Sequence, residues 1–284
     1  MIRDIKIAVI GGDKRQRICA KELENKGFSV DCYGVSGERE AEKLEKCLEN
    51  ATVVLLPLPY GDIMHISTDC DVCITAERIF SKVHPNRLVL AGKADTPLVE
   101  KAKQFGIRLI DYFEREDLNI LNAVPTAEGA LELAMRETDI TVHGTNAVIL
   151  GYGRIGKILA KYLDALGANV HVGARKPCDL AMIYTMGYTP FDIKFPQKYV
   201  SEAELIFNTV PKLLFNRELL EKVKSDALII DLASKPGGVD RASAKELEKK
   251  VIWALSLPGK VAPVSSGKII AKTVESILKE EGYV

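Results

Sequence analysis

The residues with the clearest chemical purpose are Gly151-Tyr152-Gly153-Arg154-Ile155-Gly156, which follow an apolar run at 147–150 (AVIL) and precede a helically spaced segment at 157–166 (KILAKYLDAL). A G-x-G-x-x-G turn between a strand and a helix binds dinucleotides. Gly151 permits the tight turn, Gly153 lets the backbone approach a pyrophosphate, and Gly156 lets helix and strand pack closely. The pyrophosphate would rest on the unpaired N–H groups and positive dipole end of that helix. Glycines that only make a turn satisfy the same spacing. The strand before it, the helix after it and a further strand at 169–172 favour the cofactor. Tyr152, Arg154 and Ile155 then join the glycines as expected cofactor contacts.

The next strand bears on which dinucleotide binds. NAD sites usually carry an acid at its end, to accept the ribose 2′-hydroxyl. Here that strand runs into Gly173-Ala174-Arg175-Lys176. A guanidinium and an ammonium offer no acceptor for a hydroxyl but attract a 2′-phosphate. NADP is therefore expected over NAD, with a solvated basic turn as the alternative reading of Arg175 and Lys176.

Ligands of open α/β sheets sit beyond the carboxyl ends of strands, where strand order reverses. Two further strand ends qualify, at 207–211 (FNTVP) and 231–238 (DLASKPGG). Thr209, Val210, Pro211, Leu232, Ala233 and Ser234 are expected near the nicotinamide. Lys235 would anchor a substrate carboxylate there, although an exposed loop lysine fits the sequence equally. An N-terminal turn, Gly11-Gly12-Asp13-Lys14-Arg15-Gln16, lacks the third glycine, and Asp13 would repel a phosphate. Its backbone N–H groups and the cations Lys14 and Arg15 suit a carboxylate instead. Ser265 and Ser266 precede the last predicted helix and suit either a carboxylate or a cap.

Two other chemistries fit poorly. His65, His84, His143 and His171 all lie at or before the second strand of the cofactor domain. Dehydrogenases of the D-2-hydroxyacid class share the two-domain layout but use a histidine after the last cofactor-domain strand, where this chain reads Leu257-Pro-Gly-Lys-Val-Ala-Pro263. Oxidation of a hydroxyl by a histidine base is disfavoured. Cys70-Asp71-Val72-Cys73 has metal or redox spacing, but no second Cys or His pair follows, and 72–75 reads as a short strand. No metal is expected, and the six cysteines read as reduced thiols.

The elements that must position these residues alternate strand and helix, which argues for parallel sheets covered on both faces. Strands are expected at 5–10, 28–33, 52–56, 88–90 and 108–111, with helices at 14–26 and 38–48. A second set of strands falls at 147–150, 169–172, 187–191, 205–208, 228–231 and 251–254. Pro125 suits the first turn of an amphipathic helix at 125–137, expected to bridge the domains. The fold class is α/β: two doubly wound Rossmann-like domains, 1–124 and 138–263, with a cleft between them. A final helix near 266–280 returns to the first domain as its segment 264–284.

With 39 Lys plus Arg against 39 Asp plus Glu in 284 residues, nothing suggests nucleic acid or an anionic membrane. No apolar run approaches the ~20 residues of a membrane span. The start, Met1-Ile2-Arg3-Asp4, leads directly into a strand, so no signal peptide is expected and a cytoplasmic location is.

Eight strings occur in order: Ile10–Gln16 (IGGDKRQ), Phe113–Asp117 (FERED), Val124–Gly129 (VPTAEG), His143-Gly144, Gly151–Gly156, Val172–Arg175 (VGAR), Asp231–Gly238 and Leu257–Pro263. In combination they make the chain resemble the A subunits of dipicolinate synthase over essentially its whole length. The resemblance implies oxidation of 2,3-dihydrodipicolinate to dipicolinate with NADP+ as hydride acceptor during sporulation. It also implies that the partner is a smaller, flavoprotein-like B subunit, that the location is the mother-cell cytoplasm, and that the chain forms a homo-oligomer. A substrate with two carboxylates would call on Arg15, Thr126, Lys235, Ser265 and Ser266. The catalytic residue stays open. Glu128, Glu114 and Lys235 are candidates, and a solvated acid is the alternative for either glutamate. A non-catalytic NADP-binding scaffold, or a dehydrogenase of another small carboxylic acid, are the competing readings.

Overall fold

The computed structural model describes residues 5–37 and 43–284. The chain divides into two compact units, residues 1–122 with 262–284 and residues 123–261. Each is a parallel sheet between helices.

In the first unit, β1 (Lys6–Ile10), β2 (Ser29–Tyr33), β3 (Val53–Leu55), β4 (Leu88–Ala91) and β5 (Arg108–Asp111) alternate with α1 (Lys14–Asn25), α2 (Leu44–Leu48), α3 (Ala76–Phe80) and α4 (Thr96–Gln104). The strand order β2-β1-β3-β4-β5 is that of flavodoxin-like sheets, with the switch point between β1 and β3. The strands read as apolar runs because both faces are covered. Ile7, Val9, Val53 and Leu55 point to one apolar cluster, while Ala8, Ile10 and Val54 point to another.

The second unit holds β6 (Asn146–Leu150), β7 (Asn169–Ala174), β8 (Thr189–Asp192), β9 (Leu205–Asn208), β10 (Leu228–Asp231) and β11 (Lys250–Trp253). They alternate with α6 (Arg154–Ala165), α7 (Pro177–Thr185), α8 (Gln197–Val200), α9 (Arg217–Leu220) and α10 (Arg241–Glu246), and α11 (Leu257–Val261) follows β11. The order β11-β10-β9-β6-β7-β8 is the mirror listing of the Rossmann order 3-2-1-4-5-6, with the switch point between β6 and β9. Every paired strand in both sheets is parallel.

A long helix, α5 (Glu116–Glu137), contains Pro125 in its interior. The expectation that Pro125 opens the helix is therefore corrected. Glu116 and Asp117 occupy the first turn, where carboxylates complement the helix dipole, and the helix runs on through Pro125 despite the backbone bond that residue cannot make. The final helix, α12 (Pro263–Glu280), packs Ile270, Val274, Ile277 and Leu278 into the cluster containing Cys19, Ala20 and Leu23 of α1, within the first unit as its apolar stripe requires. Gly267 permits the approach, since a Cβ there would stand 2.5 Å from the Arg15 carbonyl oxygen.

Residues 72–75 form no strand. Val72 N–H turns back to the Cys70 carbonyl at 2.9 Å, and Thr75 caps α3. The predicted helix at 38–48 is observed from Leu44; residues 38–42, like residues 1–4, lie outside the described residues. Among the described residues no helix is long and apolar enough to cross a membrane.

Candidate active site

The glycine turn joins β6 to α6, and its three glycines face three different surroundings. Gly151 adopts φ +105°, and a Cβ on it would overlap Thr209 Oγ1 and lie 3.0 Å from Val210 Cγ2. The crevice between β6 and β9 is thus closed at its base, and Thr209 Oγ1 donates to the Leu150 carbonyl at 2.9 Å. A Cβ on Gly156 would overlap the Gly151 carbonyl oxygen, so α6 seats directly on the turn. Gly153 differs: a Cβ on it would meet nothing within 4 Å. It is the exposed N-cap of α6 and brings no side chain to the helix start. Packing explains Gly151 and Gly156, whereas no neighbour packs on Gly153, which as the N-cap of α6 leaves the helix start open. The open space over an uncapped helix start fits a pyrophosphate. Beside it, the Lys157 ammonium lies 5.4 Å from the Tyr152 ring centroid, Ile155 packs against the core, and Arg154 is exposed.

Arg175 and Lys176 connect β7 to α7 and are exposed. Among the described residues neither forms an ion pair, so both charges stand free beyond the end of β7.

The other two strand ends are joined by a pair of buried polar side chains that motif and spacing do not single out. Asn208 and Asp231 are opposite each other in the β9–β10 register, 0% and 3% exposed. Asn208 Nδ2 donates to Asp231 Oδ1 at 2.8 Å and to the Val210 carbonyl at 3.1 Å. Its Oδ1 accepts from Val210 N–H at 3.2 Å. Asp231 also accepts from Ala233 N–H at 3.2 Å and Gly238 N–H at 2.8 Å. Trp253 Nε1 donates to the Ala233 carbonyl at 2.9 Å, and the Arg241 guanidinium covers the indole at 4.7 Å. A signal is nonetheless present in the sequence: each residue is the polar end of an otherwise apolar strand, LIFN and LIID. The loops they hold carry the half-buried Thr209 and Val210, the exposed Pro211, Ser234 and Lys235, and the buried Leu232 and Ala233.

The remaining candidates are dispersed. The N-terminal turn does not offer its first N–H groups to a ligand, because Gly11 N–H donates to the Tyr33 carbonyl (2.8 Å) and Gly12 N–H to the Ser67 carbonyl (2.7 Å). Arg15 is likewise engaged, with Asp13 at 2.7 Å and the Leu58 carbonyl at 2.6 Å. Asp13 caps α1 and so serves the protein's own helix. Ser266 does not precede the last helix but lies within its first turn, where it is buried and donates to the Ala262 carbonyl at 2.9 Å. Ser265 is exposed in the same turn. Glu128 and Glu114 are exposed and Thr126 is half-buried on α5. Cys70 and Cys73 form no disulfide among the described residues.

A Rossmann-ordered sheet with this turn at its switch point defines an NAD(P)-binding oxidoreductase unit, and the comparisons agree. Residues 126–257 match the NAD binding domain of D-isomer specific 2-hydroxyacid dehydrogenases, and residues 6–113 match the N-terminal domain of the dipicolinate synthase A subunit. The chain is 33% identical to the A subunit of dipicolinate synthase from Bacillus subtilis, over 99% of its own length and 98% of that protein. The crystal structure of the corresponding A subunit from Bacillus halodurans superposes with TM-score 0.89 at 32% identity, covering 98% of this chain and 99% of that one. D-lactate dehydrogenase of Escherichia coli, at TM-score 0.66 and 14% identity over 98% of both chains, shares the fold. The chain belongs to the family of dipicolinate synthase A subunits.

Proposed function

We propose that the chain oxidises 2,3-dihydrodipicolinate to dipicolinate, with NADP+ rather than NAD+ as acceptor. It would work as a homo-oligomer beside a smaller flavoprotein-like B subunit, in the mother-cell cytoplasm of a sporulating bacterium. The observation that carries this reading is the free Arg175–Lys176 pair at the end of β7, where a 2′-phosphate would lie. It occurs in a chain that resembles the A subunit of a dipicolinate synthase over 99% of its length.

Bound NADP+ supplies a two-electron acceptor for a hydride leaving the ring. The protein's share is placement. The glycine turn holds the pyrophosphate, Arg175 and Lys176 hold the 2′-phosphate, and loops 209–211 and 232–234 bound the nicotinamide end. Lys235, on a loop pinned by Asp231, reaches for a ring carboxylate. Aromatisation supplies driving force, so positioning and exclusion of water matter more than a strong base. Glu128 or solvent suffices to take the ring proton.

A second reading, an NADP-binding scaffold without its own turnover, is favoured by the exposure of Lys235 and Glu128 and by the engagement of Arg15 with Asp13. One assay separates them: NADPH formation from freshly generated dihydrodipicolinate, with and without the B partner. Turnover by the isolated chain rejects the second reading. Silence in both arms, despite NADP binding, rejects the first.

A further inference from the structure

We propose that Asp231 and Asn208 are positioning residues that act on the substrate through the loops they fasten. The inference rests on the proposed oxidation for what the loops position, but the clamp itself stands on geometry.

Residues 232–238 leave β10 and fold back on the carboxylate that begins them. Ala233 N–H and Gly238 N–H reach the two oxygens of one side chain. Asn208 fills the remaining direction and holds Val210 on both its carbonyl and its N–H. One buried pair therefore fixes both loops at the carboxyl ends of β9 and β10. Among the described residues no Lys or Arg pairs with Asp231, so the acid neutralises no cation. A buried acid with no cation to balance costs desolvation energy, and its partners are two loop N–H groups and one amide. Fit is equally close on the other side: a Cβ on Gly238 would overlap Asn208 Nδ2 and lie 2.8 Å from the Val210 carbonyl oxygen. Lys235 and Ser234 are at the crest of the fastened loop, and neither side chain has a partner among the described residues. Their placement depends on the backbone beneath them, and that backbone depends on Asp231.

Asp231→Asn keeps the volume but turns one acceptor into a donor facing a donor. Gly238→Ala pushes the loop off sterically and alters no polar group. Both full-length variants should lose less NADP+ affinity than kcat/KM, because the glycine turn and Arg175, which would hold the phosphates, are untouched and only the loops at the nicotinamide end move. Both should lose kcat/KM for dihydrodipicolinate on the order of 10- to 100-fold, the scale of an ångström of misplacement. The exchanged double variant Asn208→Asp with Asp231→Asn restores the pair across the strands but turns an acceptor toward the Val210 carbonyl and a donor toward Ala233 N–H, so it should not recover that loss. Amide hydrogen exchange at Ala233 and Gly238 should accelerate in both single variants, a readout independent of turnover. Unchanged exchange, or NADP+ affinity falling in step with kcat/KM, overturns the clamp. If the parent turns over neither alone nor with the B partner, the oxidation reading fails, and amide exchange alone decides whether the clamp stands.

Discussion

A Cβ on Gly156 would overlap the carbonyl oxygen of Gly151 and lie 3.1 Å from its carbonyl carbon, so helix α6 is docked on its own entry turn at backbone-to-backbone distance. Gly153, between them in sequence, has open space where its Cβ would be. Two alanine substitutions should therefore fail in different ways. Gly156→Ala should lower stability by about 1–3 kcal/mol, as overpacking does. Gly153→Ala should cost the fold at most about 1 kcal/mol, the N-cap preference for Gly over Ala, yet bind NADP+ about tenfold more weakly, or 1.4 kcal/mol. Thermal melts paired with NADP+ titrations check both. Undiminished binding by Gly153→Ala would mean that no phosphate approaches this residue.

Arg175 meets solvent and has no acidic neighbour paired to it among the described residues. Its removal should cost the fold little, since surface changes are usually within about 0.5 kcal/mol. Against NADP+ the loss should be about 1.5–3 kcal/mol, the worth of hydrogen bonds to a charged group. NAD+ affinity should not change. Calorimetric titration of Arg175→Ala with both dinucleotides measures the difference, and a parallel loss for both would refute the 2′-phosphate assignment.

What the sequence made legible follows from what was local. Runs such as VVL, LVLA, LIFN and LIID declare strands covered on both faces because burial leaves no room for alternation. The glycine turn is likewise written in six consecutive residues. Pro125 misled because a local preference for first turns lost to a longer helix that starts at Glu116. Asn208 and Asp231 stayed hidden for a different reason: they meet only through the β9–β10 register. Arg15 looked available because nothing in its neighbourhood shows that a bend at Leu58 brings a carbonyl to it.

That bond makes Arg15 testable as a structural residue. Its side chain is 11% exposed and is held by the Asp13 carboxylate as well as by the Leu58 carbonyl. Arg15→Ala should cost about 1–3 kcal/mol, because a charged hydrogen bond is lost and its partners are stranded. NADP+ affinity should not move. Urea denaturation together with a KM measurement separates two roles. A stable variant with raised KM would return Arg15 to the substrate site, whereas a destabilised one with normal KM would leave it to the fold.

His171 sets the last expectation. Its ring sits in β7, 5.5 Å from Tyr199, which stacks on Phe191 at 4.2 Å. Its Nδ1 is buried with no hydrogen-bond partner among the described residues. Burial holds the imidazole pKa below its ordinary value; Glu202 opposes this and Lys198 adds to it. The unfolded chain takes up this proton near pH 6.5, roughly the ordinary imidazole value, and the folded chain only at lower pH. Between those points the unfolded state binds more protons, so stability falls as pH drops below about 6.5 and is fully present above it. Replacing the ring by one that cannot titrate, His171→Phe, should flatten stability against pH in that window while preserving the tilted ring contact with Tyr199. Urea midpoints from about pH 5 to 7 check this. The same slope in parent and variant would place the acid sensitivity elsewhere in the molecule.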